Sequence, residues 1–173
     1  MEILNREKQM STDDTFSGAK TAYIDYYTYV KTAMEDKDIG KTRALSLMTK
    51  ADETRGKTVG MNIREEAGGK VFETEEAAKT IVEMAKGIGG IDEILEQGPQ
   101  KVVTLTRFGK CPVYEAAREV GMDDGTIEEM CRAGALCFLN SVASQLNPAL
   151  SYRLKAFRSG EAGGCVEEIA MNP

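Results

Sequence analysis

Histidine and tryptophan are both missing from the 173-residue sequence. Without imidazole, Ser-His-Asp and Cys-His catalysis and imidazole metal sites are excluded, along with the usual acid/base group near pH 7. Proton transfer would fall to Asp, Glu, Lys, Tyr, Cys or water. No apolar run approaches the roughly 18 residues that span a bilayer. The opening "MEILNREKQMSTDD" has no signal-peptide core. A cytoplasmic location and no membrane association are therefore expected. The four cysteines (Cys111, Cys131, Cys137 and Cys165) form no CxxC pair, so a zinc knuckle or an iron–sulfur site is not expected, and in a reducing cytosol they are free thiols. "GIGG" and "GEAGG" lack the Lys-Ser/Thr of a P-loop and the strand-to-helix setting of a dinucleotide fingerprint. Neither metal nor cofactor is expected.

What is present is an ordinary acidic balance: Lys+Arg 22 against Asp+Glu 28, a net charge of −6. Nucleic acid needs a clustered basic face. The nearest approach to one, Arg107, Arg153, Lys155 and Arg158, reads as solvated charges on strands. The length is enough to bury a core without disulfide or metal staples.

Residues 1–15 read as a flexible leader ending in the N-cap cluster "STDD", and 16–173 as a single α+β domain. Its first half, 16–98, is helical. Ala19, Ala22, Tyr23, Tyr26, Val30 and Ala33 recur at helical spacing. After Gly40 a weaker stripe through Leu45, Met48, Val59 and Ile63 fits one long helix or two shorter ones, ended by Gly68-Gly69. "ETEEAAKTIVEMAKGIGG" carries acids in its first turn and a closing glycine pair, which predicts a helix. "IDEILEQG" predicts one more short helix. The second half, 99–173, reads strand-helix-helix-strand-strand. "KVVTLTRF" alternates and is β-branched. A helix follows "CP", and a long helix runs through "DDGTIEEMCRAGALCFLNSVASQL" to Asn147-Pro148. "LSYRLKAFRS" and "GCVEEIAM" predict an antiparallel hairpin. The expected fold is N-terminal helices plus a small antiparallel sheet covered on one face by helices.

Pro112 at a helix start would put Cys111 at the N-cap, where free N–H groups and the helix dipole favour thiolate. That gives a histidine-free chain a nucleophile; the competing explanation is a small side chain in a turn. Glu115, one turn on, is the candidate proton shuttle. Cys131 and Cys137 lie about 120° apart on one predicted helix, so one can approach Cys111 while the other packs in the core. Arg132, beside Cys131, offers a fork for a substrate carboxylate. Cys165 follows a glycine pair that permits close approach of a ligand. Tyr23 and Tyr26 belong either to a packing stripe or to the wall of a small-molecule pocket.

"CPVYEAAREVG", "CRAGALCFLNSVASQLNP" and "RLKAFRSGEAGGCVEEI", over roughly 100–170, together resemble the L-2-amino-thiazoline-4-carboxylic acid hydrolase family. The closing hairpin is also similar to small-molecule-binding domains of the four-vinyl-reductase type. The first resemblance implies thiol-dependent hydrolytic opening of a small cyclic sulfur- and nitrogen-containing amino acid, with Cys111, Cys131 and Cys165 at matching positions and Asn147-Pro148 marking a turn. The second implies binding or sensing without turnover. The expected partner in either case is a small molecule, with a homodimer also allowed.

Overall fold

The computed structural model describes residues 11–106, 111–160 and 163–172. Helix α1 (Thr12–Glu35) starts inside the expected leader, because Ser11 and Asp14 form a reciprocal capping box. Residues 1–10 of that leader lie outside the described residues, as do Arg107 and the end of the strand expected at 107–108. Helix α2 (Gly40–Glu66) is one continuous helix, closed by Gly68 and Gly69 at φ 74° and 80°, a backbone region that favours glycine. Its Gly56 and Gly60 lie directly against α6 (Ala135–Leu146): a Cβ on Gly56 would stand 2.4 Å from the Phe138 carbonyl oxygen. Helix α3 (Thr74–Gly87) forms where its acidic first turn and glycine exit predict it.

Strands β1 (Asp92–Gln97), β2 (Lys101–Thr106), β3 (Leu150–Ala156) and β4 (Cys165–Met171) build one antiparallel sheet in the order β1-β2-β4-β3. The predicted hairpin is the β3–β4 pair. The helix expected at "IDEILEQG" is instead β1, which pairs with β2 from Asp92–Thr106 to Gln97–Val102. The seven residues between Gly90 and Gly98 carry too little periodicity to separate helix from strand, and the open edge of β2 decides. Helices α3 and α6 pack on the sheet, which makes the fold α+β. No described helix is long and apolar enough to cross a membrane.

The long helix expected after "DDG" is two helices, α5 (Asp124–Ala133) and α6, broken at Gly134. A Cβ there would lie 2.1 Å from Met48 Cε and 2.9 Å from Asp52 Oδ2 of α2, so the close crossing of α2 sets the break. Helix α4 (Pro112–Glu119) begins at the Cys-Pro step as predicted. The buried side chains form two clusters. One, with Ile81, Val102, Leu136, Leu146 and Ile169, joins α3, α6 and the sheet. The other, with Tyr27, Met48, Tyr114, Ile127 and Met130, joins α1, α2, α4 and α5.

Candidate functional site: a cavity between the two cores

A cavity of about 390 Å³ draws its walls from both clusters. Ile81, Met84, Leu136 and Leu139 make one side apolar, and Tyr23, Val113 and Tyr114 close the other. This volume is in the range of small-ligand pockets. Cys111, Cys131 and Cys165 all line it, so the structure brings the three matching cysteines to one space. The break at Gly134 separates Cys131, on α5, from Cys137, on α6, whose thiol points to the Thr49 carbonyl oxygen of α2 at 3.7 Å.

Strand register builds the polar floor. Asp92, Thr106 and Cys165 stand side by side across β1, β2 and β4. Glu167 lies two residues beyond Cys165 and so shares its face. Its carboxylate accepts hydrogen bonds from the Tyr152 hydroxyl and, at 3.3 Å, from the Thr106 hydroxyl. Burial raises the Glu167 carboxyl to about 7, with Tyr152 opposing the rise and Asp92 adding to it. Burial likewise raises Asp92, whose Oδ1 is buried without a hydrogen-bond partner among the described residues.

Arg158 faces this floor from just beyond β3. It is only 3% exposed. Its guanidinium carbon lies 4.4 Å from the centre of the Tyr114 ring, a cation–π contact. None of its three nitrogens has a hydrogen-bond partner among the described residues. The Cys165 sulfur lies close enough to favour its charged form without meeting hydrogen-bond geometry.

The expected thiolate at Cys111 meets a strong opposing effect. Cys111 is the N-cap of α4, yet its side chain makes no capping hydrogen bond. Burial pushes its thiol up to about 12, despite the opposing pull of Arg158 and of the Tyr114 backbone N–H. Burial also holds Cys131 well above its ordinary value. Both are neutral thiols at pH 7.

The other expected site residues divide. Tyr23 lines the cavity, whereas Tyr26 is exposed and leans on the Tyr27 ring at 5.2 Å. Arg132 is not beside the cavity thiols in function: it grips Glu128 at 2.7 and 3.0 Å on the exposed side of α5. Glu115 sits 4.0 Å from Lys20 and takes no part in the lining. Arg158 is no solvated edge charge, unlike Arg153, which pairs with Glu168 at 2.9 Å. Asp92, Tyr152 and Glu167 are not singled out from the sequence, and Arg158 reads there as a solvated charge. Alternation in "CVEEIAM" does put Glu167 on the face of Cys165. Arg158 carried no such signal, because a register shift at 154–156 breaks the alternation before it.

Among the described residues no three Cys, Asp or Glu side chains are grouped closely enough to hold a metal ion. The cavity can bind an anion at Arg158, accept a hydrogen-bond donor at Asp92, and exchange a proton at Glu167 near neutral pH. No family model matches the chain, and no curated protein matches it.

Proposed function

We propose that the chain binds a small, compact, amino-acid-like molecule in this cavity, with the acidic group on Arg158 and a nitrogen-bearing end toward Asp92 and Glu167. The observation that carries this is the buried Arg158 guanidinium, whose nitrogens have no hydrogen-bond partner among the described residues. An unpaired buried cation is costly, and a carboxylate restores its bonds in bidentate form. Arg158 thereby takes the role expected of Arg132. Asp92 Oδ1 offers a second unfilled valence of opposite kind among the described residues, so the two positions together suit a ligand with both an acceptor and a donor end. The apolar wall of Ile81, Met84, Leu136 and Leu139 suits a ring or short aliphatic body. Titration calorimetry with 2-aminothiazoline-4-carboxylate, thiazolidine-4-carboxylate and their carboxamides tests this. The acids are expected to bind more tightly than the amides, and Arg158→Gln to abolish that difference. Equal binding of acid and amide to the unaltered chain would remove the proposal.

Hydrolysis in the same cavity is the second reading, favoured by one observation: Glu167, at about 7, lines the same space as three thiols. In this scheme Glu167 accepts a proton from a water that adds to the ring carbon between sulfur and nitrogen. It returns that proton to the ring nitrogen as the C–N bond opens, a role its value suits. Cys111 as thiolate nucleophile would first have to lose its proton from a value near 12. Consumption of 2-aminothiazoline-4-carboxylate, followed by mass spectrometry, should stop in Glu167→Gln while binding persists. Binding with no turnover in the unaltered chain leaves the non-catalytic function alone.

A further inference from the structure

We infer that Arg55 of α2 forms the mouth of the cavity and admits anionic small molecules in preference to neutral ones. This rests on the proposal that the cavity takes its ligand from solvent. Among the described residues lining the cavity, Arg55 alone is exposed, with 57% of its side chain open to solvent. Every other one is half-buried or buried. Its guanidinium lies over the Phe138 ring of α6, 4.4 Å from the ring centre, and close enough to Tyr23 of α1 to act on that phenol. Phe138 and Tyr23 both line the cavity. The group therefore lies across the gap between three helices.

The surrounding charges give this position its consequence. The chain carries a net −6, and the cavity floor holds Asp92 and Glu167, so an anion approaching without a local cation is repelled. Arg55 and Arg158 supply two cations, one at the rim and one inside. The only acid paired with Arg55 is Asp52, at 3.1 Å and itself buried, among the described residues. The exposed neighbours Glu53 and Lys57 neutralise each other at 2.6 Å. An arginine presents five donors, and Asp52 engages one edge, which leaves the other free for a passing carboxylate. Exposed side chains change rotamer in picoseconds to nanoseconds, so contact with Phe138 does not block passage.

The cavity thiols themselves report on admission, with no need of the natural ligand. Iodoacetate and iodoacetamide differ mainly in charge. Their alkylation rates are measured at pH 9 and low salt, resolved by peptide mass mapping at Cys111, Cys131 and Cys165, with Cys137, which lies outside the cavity, as baseline. Focused charge changes encounter rates by 10-fold or more. The iodoacetate-to-iodoacetamide ratio at the cavity cysteines, relative to Cys137, is expected to fall about 10-fold in Arg55→Glu and less in Arg55→Gln. Arg55→Lys should keep the ratio, which separates charge from packing. The differences should shrink in about 1 M salt, where the screening length is roughly 3 Å. A ratio that is the same in all four proteins overturns the inference. So does labelling of Cys137 with no labelling of the cavity cysteines, since the mouth would then admit neither reagent. Failure of the anchor is read separately, from the Arg158→Gln titration, which Arg55 labelling does not use.

Discussion

Glu167→Gln isolates the most consequential charge in the cavity. The replacement keeps an acceptor for the Tyr152 and Thr106 hydroxyls and deletes only the titration. Because burial lifts the carboxyl from its ordinary 4.5 to about 7, the folded chain holds this proton more tightly than the unfolded chain. The stability due to it is complete below about pH 4.5 and is lost as pH rises through about 7. At 1.36 kcal/mol per tenfold change in proton affinity, the loss is about 3 kcal/mol. Urea unfolding of both proteins from pH 4 to pH 8.5 measures it. Asp92 titrates in both chains, so the difference between the two curves reports Glu167 together with its coupling to Asp92. The variant is expected to match the unaltered chain near pH 4 and to exceed it by about 3 kcal/mol above pH 8. Parallel curves would show that Glu167 ionises normally, and the proton-transfer role would go with it.

Alkylation of Cys111 by iodoacetamide should accelerate about tenfold per pH unit through pH 10 without levelling, because its thiol lies near 12; a plateau near 8.5 would mean an unburied thiol. Gly56→Ala puts a methyl 2.4 Å from the Phe138 carbonyl oxygen and 2.8 Å from Ser141 Cβ, and should cost about 2–3 kcal/mol in urea unfolding by forcing α2 from α6. Gly18→Ala on α1, where a Cβ meets nothing within 4 Å, should instead stabilise by about 0.5–1 kcal/mol. Asn147→Ala leaves the Phe72 carbonyl and the Ala149 N–H without their 2.9 Å partners and should lower stability by about 2 kcal/mol.

The parts of the fold that could be read from sequence are those set by neighbours along the chain. Helix α3 shows its acidic start and glycine exit, the Cys-Pro step marks the start of α4, and alternation marks β3 and β4. Where a partner distant in sequence decides, local pattern fails. The strand state of β1 is set by pairing with β2, and the break at Gly134 by Met48 and Asp52 of another helix. Arg158 follows the same rule, because nothing near it in the chain shows that Tyr114 and the cavity enclose it.

Cys111 shows why finding a site residue is easier than assigning its chemistry. Its place at a helix start was legible, and a helix N-terminus does favour thiolate, by about 0.3–1 kcal/mol. The rise from 9.0 to about 12 corresponds to about 4 kcal/mol in favour of the neutral thiol. That net figure already includes the opposing effect of Arg158. Burial, invisible in the string "GKCP", exceeds the dipole several-fold. A bound carboxylate on Arg158 would cancel the cation that opposes the rise and hold the thiol neutral more firmly still. The proposed anchor and a Cys111 thiolate therefore work against each other, which leaves Glu167 as the group that the proposed hydrolysis would use for proton transfer.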